Sequence, residues 1–300
     1  MQRLRYGLLP CGSVGQSERD AAVLQDPNTF VVAKKPLPLE PQIRWVFFNS
    51  LPAVDRGCRT MDMINAVSSW IKEQVDKAGA RGIVLGLSGG IDSAVVAALA
   101  LRSLRPNVLG VLLPCHSDAQ DADDARLVAD HLDMETLTVD LTPVFDLLLT
   151  MFPPANQMVT ANLKPPLRMM TLYYFAGLKQ YLVAGTGNKS EISVGYFTKY
   201  GDGGVDLLPL GDMLKSQVRD LAGQLGLPTA IIDKPPSAGL LPGQTDEGEL
   251  SLSYAELDQA LTAIAAKGDE QVPPGVRRRV EHLMRNSEHK RASIPVFQMD

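Results

Sequence analysis

Residues 82–104, GIVLGLSGGIDSAVVAALALRSL, constrain the fold more than any other stretch of the chain. A short apolar run (82–87) ends in a turn with two adjacent glycines, Ser88-Gly89-Gly90-Ile91-Asp92-Ser93. That turn opens into a helix of small and apolar residues (94–104). A strand without polar alternation must be covered on both faces, as strands inside a parallel sheet are. The turn therefore lies at the carboxyl edge of a parallel sheet, where open α/β sheets take their ligands.

The same alternation continues to either side. Asp62 reads as the N-cap of a helix that carries Ile64, Val67, Ile71 and Val75 on one face until Gly79 stops it. Strands are expected at 108–113, 136–139 and 181–184. Helices are expected at 121–132, at 165–178 with proline in the first turn, and at 212–225. Short strands alternating with helices imply an α/β fold, a doubly wound Rossmann-like parallel sheet with helices on both faces. Residues 1–60 read differently. They hold six of the 21 prolines, carry a charge of +3 where the whole chain carries -5, and show only one strand-like run, at 44–49. They are either a loosely ordered N-terminal extension or sequence ahead of a start at Met61 or Met63, leaving 61–300 as the folded domain.

Composition excludes several classes. The 300 residues are 45% hydrophobic and 21% charged, ordinary values for a globular chain with a real core. A net charge of -5 argues against a nucleic-acid partner, which needs a basic face. The longest uninterrupted apolar stretch, 94–101, is far short of the ~20 residues that span a bilayer. Three cysteines (Cys11, Cys58, Cys115) without a CxxC pair indicate neither a disulfide framework nor a cysteine-based zinc site. A cytoplasmic enzyme is the expectation.

The Ser88–Ser93 turn has the composition of a phosphate cradle. Its glycines let backbone approach an anion, and the helix behind it supplies free N–H groups and a partial positive charge. It is neither a Walker A loop nor a GxGxxG fingerprint. A carboxylate inside an anion cradle calls for a bridging cation, so Asp92 reads as a magnesium ligand, the plainer alternative being a helix cap. Asp121, Asp123 and Asp124 read most simply as a solvated trio complementing a helix dipole. Met169, Met170, Tyr173, Tyr174 and Phe175 read as helix packing.

SGGIDS resembles the pyrophosphate loop of the N-type ATP pyrophosphatases, which have an adenine nucleotide alpha hydrolase-like fold. A second block narrows the resemblance. Gly185-Thr186-Gly187-Asn188-Lys189-Ser190-Glu191 and the run from Gly195 to Asp206 (GYFTKYGDGGVD) are similar to the NAD synthetase family. So are Lys215, Lys234-Pro235-Pro236-Ser237-Ala238, Gly243-Gln244-Thr245-Asp246-Glu247 and Ser287-Glu288-His289-Lys290-Arg291. The resemblance runs from about residue 62 to 296.

It implies an ATP-dependent ligase that amidates deamido-NAD with ammonia through an adenylated nicotinate carboxylate, releasing pyrophosphate and AMP. Gly86, Leu87, Ser88, Gly89, Gly90, Ile91, Asp92, Ser93, Thr186, Lys215 and Ser237 match ATP contacts. Asp92 and Glu191 match magnesium ligands, and Asp92, Glu191 and Lys215 the catalytic set. Asn162, Lys199, Asp206, His289 and Lys290 match deamido-NAD contacts, and Ser237 precedes a Gly/Pro/Gln segment suited to a lid. Asp202 is equally well a turn-forming residue. The resemblance also implies a homodimer paired through helix 165–178. Nothing in the chain resembles the amidase domain of glutamine-dependent members, so free ammonia or a separate glutaminase is the implied nitrogen source.

One position departs from the family pattern. Where N-x-x-x-R-x-R-M is usual, this chain reads Asn162-Leu163-Lys164-Pro165-Pro166-Leu167-Arg168-Met169, with proline in place of the first arginine. That arginine helps hold the dinucleotide, and losing one charge-assisted contact weakens binding by ~1.5–3 kcal/mol. Two other readings follow: a nucleotide-binding homodimer with weakened turnover, or a different, tRNA-modifying ATP pyrophosphatase. The second is disfavoured by the acidic charge and the missing CxxC.

Overall fold

The structure, a computed structural model, describes residues 56–241, 243–266 and 272–299. The expected N-terminal extension, its strand-like run at 44–49 and Cys11 lie outside the described residues, except that the first helix reaches back to residue 56.

The elements in chain order are α1 (Arg56–Lys77), β1 (Gly82–Gly86), α2 (Ile91–Leu104), β2 (Val108–Leu112), α3 (Ala119–Leu132) and β3 (Thr136–Thr138). Then come α4 (Thr142–Met151), α5 (Gln157–Ala161), α6 (Lys164–Lys179), β4 (Tyr181–Val183), α7 (Lys189–Val194) and α8 (Lys215–Gln224). Five short or C-terminal helices follow: α9 (Thr229–Ile232), α10 (Asp246–Leu250), α11 (Tyr254–Ala265), α12 (Pro274–Asn286) and α13 (Glu288–Arg291).

The four strands form one parallel sheet in the order β3-β2-β1-β4, with Val84 opposite both Leu109 and Val183. Successive residues of β1 face opposite sides, as the period of two requires. Ile83 and Leu85 pack with α1, α2 and α8, while Val84 joins the cluster under α4 and α6. All three are fully buried, each contributing roughly 1.5–3 kcal/mol of apolar transfer. This two-sided burial is why 82–87 lacks polar alternation. β1 feeds β2 on one side and, through α6, meets β4 on the other. The crevice between the carboxyl ends of β1 and β4 is thus the switch point of the sheet.

Several boundaries differ from expectation, among them the start of α8, which falls at Lys215 and not at 212. α1 begins at Arg56, so Asp62 lies inside the helix and is not its N-cap, and regular structure starts ahead of Met61. α2 begins at Ile91, which puts Asp92 in its first turn. α3 begins at Ala119, with Asp118 as N-cap accepting from Gln120 N at 3.0 Å. A separate core, built on Val194, Leu257, Ala260 and Val280 of α7, α11 and α12, was not anticipated.

Candidate active site

The phosphate-cradle turn is rigid because its serines bind the loop itself. Ser93 Oγ donates to Gly90 O at 2.9 Å, Gly90 N donates to Ser88 Oγ at 3.2 Å, and the two hydroxyls lie 3.2 Å apart. Gly89 adopts φ +78°, and a Cβ there would stand 2.7 Å from Asp121 O and 2.8 Å from Asp124 Cβ. Glycine is therefore required by both conformation and space. α2 has no side-chain cap, so its first N–H groups stay available at the positive end of the helix.

Beyond the cradle, α7 and α8 bring their first turns up to α2. Asn188 and Glu191 form a capping box on α7, and Asn188 Nδ2 donates to Asp92 Oδ1 at 2.9 Å. The ammonium of Lys215 donates to Asp92 Oδ2 and lies 3.4 Å from Glu191 Oε1. Lys215 is in turn held from behind: its backbone N donates to Ser190 Oγ at 3.0 Å, and Ser190 Oγ donates to Asp258. Tyr254 OH is shared between Glu191 Oε1 (3.2 Å) and Asp246 Oδ2 (2.9 Å).

The electrostatics follow from packing three carboxylates around one lysine. Burial, reinforced by the neighbouring Asp92 charge, pushes Glu191 up to about 7. Burial also raises Asp246. Burial alone would lower Lys215, but Asp92 and Glu191 outweigh it and hold the ammonium above its usual range. Tyr254 is pushed far up by burial and by the Glu191 and Asp246 charges, so its phenol stays protonated and can donate to either carboxylate. Asp92 and Glu191 converge on one positive charge with hard oxygen donors, a set that suits magnesium held jointly with phosphates. Among the described residues no group of three or more His, Cys, Asp or Glu could enclose a metal by itself.

These groups line one cleft of about 340 Å³. It brings together Gly86, Leu87, Ser88, Gly90, Ile91, Asp92, Ser93, Thr186, Glu191, Lys215 and Ser237, every predicted ATP contact except Gly89. The predicted deamido-NAD residues do not line it. They gather around the 195–206 loop instead. Thr198 Oγ1 donates to Asn162 Oδ1 at 3.0 Å, Lys199 Nζ donates to His289 O at 2.5 Å, and Lys290 Nζ donates to Gly195 O and Phe197 O. Asp206 accepts from Val183 N at 2.7 Å and from Tyr173 OH at 3.1 Å. Asp202 serves both of its readings: it accepts from Thr198 N in the turn and lines the cleft.

The aspartate trio is not a solvated face. Only Asp123, paired with Arg126 at 2.8 Å, behaves that way. Asp124 is buried, and Asp121 and Asp124 both bind Lys234. The aromatic and methionine run on α6 is split: Met169 is buried, whereas Met170 and Tyr174 are more than 60% exposed.

The profile of the NAD synthase family matches residues 63–294. The chain belongs to this family. An NH3-dependent NAD+ synthetase of Carboxydothermus hydrogenoformans is 44% identical over 228 residues, covering 74% of this chain and 91% of that protein. Among solved structures, the NMN synthetase of Francisella tularensis superposes with a TM-score of 0.75 at 36% identity, covering 80% of this chain and all but 1% of its own. The NH3-dependent NAD synthetase of Campylobacter jejuni, solved with nitrate, gives 0.71 at 29% identity over 82% of this chain and 100% of its own. The switch-point cleft thus lies in a NAD synthase fold.

Three residues that hold the expected site groups in place, Asn188, Asp246 and Tyr254, have no expected role of their own in the sequence. Asn188 caps the helix of the expected Glu191 through a capping-box spacing (N-x-x-E) that the sequence does carry. Asp246 and Tyr254 lie beyond the last helix the periodicity supported. Arg168, which matches the family pattern at a position given no role in the sequence, also lines the cleft, with Nε donating to Leu113 O at 3.3 Å.

Proposed function

We infer that this NAD synthase family member amidates deamido-NAD with ammonia and ATP, as a ligase forming a C–N bond. The nicotinate carboxylate attacks the α-phosphate of ATP, pyrophosphate leaves, and ammonia then displaces AMP from the acyl adenylate. The observation that carries this reading is the meeting of the Ser88–Ser93 cradle with Asp92, Glu191 and Lys215 in one cleft of this family's fold. The free N–H groups of α2 and the Lys215 charge are suited to gather the triphosphate. Asp92 and Glu191 would hold magnesium, which supplies charge neutralisation for the phosphates. Thr186 and Ser237 flank the nucleotide. Asn162, Lys199, Asp206, His289 and Lys290 form the edge on which the dinucleotide is read.

The exposed apolar row of α6 (Met170, Tyr174, Leu178) supports a homodimer. Residues 61–300 act as the catalytic domain, with 1–60 as an extension to it. Among the described residues no helix is long and apolar enough to cross a membrane. A cytoplasmic enzyme using free ammonia, or ammonia from a separate glutaminase, fits this reading.

A second reading concerns the nucleotide. Pro166 stands where the resemblance expects an arginine toward the dinucleotide, and the similar Francisella protein is named for NMN, a mononucleotide. Pro166 packs in the first turn of α6 against Gly201, whose Cβ would lie 3.1 Å from Pro166 Cδ and 2.5 Å from Pro165 Cβ. Pyrophosphate release by the purified chain tests both. With Mg-ATP and ammonium present, release that requires deamido-NAD supports the first reading. Release that instead requires nicotinate mononucleotide supports the second. No release with either overturns both.

A further inference from the structure

The pyrophosphate loop sits on an acidic floor. Gly89 is pressed against the first turns of α3, with Asp121 O and Asp124 Cβ within 3 Å of where its Cβ would be. Asp121 itself lines the cleft, and Asp124, 8% exposed, accepts from Gln120 Nε2 at 2.9 Å. Two carboxylates beneath a cradle for polyphosphate would repel the ligand that the cradle is shaped to hold. Lys234 answers both, its ammonium 2.8 Å from Asp121 Oδ1 and 2.5 Å from Asp124 Oδ2.

Lys234 also opens the segment that forms another wall of the cleft, Pro235, Pro236, Ser237, Ala238, Gly239 and Leu240. The far end of that segment is fastened too. Lys164 Nζ donates to Leu240 O at 2.8 Å, and Gln244 Oε1 accepts from Leu240 N and Leu241 N.

We propose that Lys234 is a positioning residue for ATP, masking the Asp121 and Asp124 charges beneath the pyrophosphate loop while pinning the start of the wall segment. The proposal rests on ATP occupying the Ser88–Ser93 cradle. It separates into a charge effect, which compensating substitutions restore, and a tether effect, which they do not. The charge effect is the larger.

The test is calorimetric binding of Mg²⁺ with α,β-methylene ATP to the full chain. Lys234→Met is expected to weaken binding at least about tenfold, as two unmasked charges near a triphosphate require. Lys234→Arg is expected to keep it. Adding D121N and D124N to K234M is expected to restore binding to within about threefold of the unaltered chain. In turnover, the K234M loss is expected in KM for ATP rather than in kcat. Should K234M fail to fold, D121N/D124N with Lys234 intact decides the matter. Masking predicts equal or tighter ATP binding by that variant, and a pure tether predicts weaker. K234M binding like the unaltered chain, a triple variant no better than K234M, or weaker binding by D121N/D124N overturns the proposal. If the unaltered chain binds no analogue, the ATP reading itself falls and this one with it. Normal binding that is insensitive to K234M removes only the role of Lys234.

Discussion

The two sides of the proposed active site are built in opposite ways. On the phosphate side, Asp92, Glu191, Lys215 and Tyr254 come from four helices and bind one another through their side chains, in a pocket where the Lys215 side chain is only 6% exposed. On the dinucleotide side, Asn162, Asp206 and His289 are exposed, and Lys199 and Lys290 are held by backbone carbonyls. The first arrangement fixes charge where a common chemistry needs it. The second is a surface whose members can be exchanged one at a time without disturbing a buried network. The family departure at Pro166 falls on the second side, where exchange is structurally cheap.

The largest effect that would break this contrast comes from the buried side. Asp92→Asn or Lys215→Met is expected to lower kcat for pyrophosphate release by on the order of 10³, while Lys199→Met mainly raises KM for the dinucleotide about tenfold. Equal losses from both sides would end the distinction. Next, Tyr254→Phe removes the donor shared by Asp246 and Glu191 and is expected to cost about 1–3 kcal/mol, chiefly at the buried Asp246, read as a lower Tm and a reduced kcat. Pro166→Arg is the converse experiment. Restoring the charge is expected to tighten deamido-NAD about tenfold, read in steady-state KM, with KM for ATP unchanged.

The smallest effect is a pH dependence. Burial would raise Asp124, but hydrogen bonds from Lys234 and Gln120 outweigh it and hold the carboxyl below its usual range. A depressed carboxylate stabilises the fold above the ordinary value of about 4 and loses that contribution as pH falls through its folded value. The Tm gap between the unaltered chain and Asp124→Asn is therefore expected to be widest near neutrality and to close on acidification, a difference of about 1 kcal/mol or less.

What could be read in advance divides along the same line. The strand at 82–86, the cradle after it and the helix behind it were legible because burial on both faces and a glycine turn leave local marks. Glu191 was reachable for the same reason, as it follows a strand end and carries its own capping box. The remaining cleft contacts are long-range. Lys215 meets Asp92 across 123 positions and Lys234 meets Asp121 across 113, and no local period reports such a pairing. Charge alone misplaces one carboxylate: the Asp124 side chain reads as surface in sequence, but it is packed beneath Gly89 and largely buried. Helices α10 to α12 bury their faces in a small core shared with Val194 of α7, and no element was expected there even though Ser253-x-x-Glu256 marks the start of α11.

One feature of the fold bears on how such a chain drifts over generations. Eleven of the fourteen residues of α2 are buried, and of the three that are not, Asp92 lines the switch-point cleft. In a saturation library the helix would appear as an almost unbroken band of intolerance, since a close-packed interior registers even one added methylene. Sequence change is thereby channelled to the loops and the outer helices, and the spine carrying the cradle would outlast most of what surrounds it.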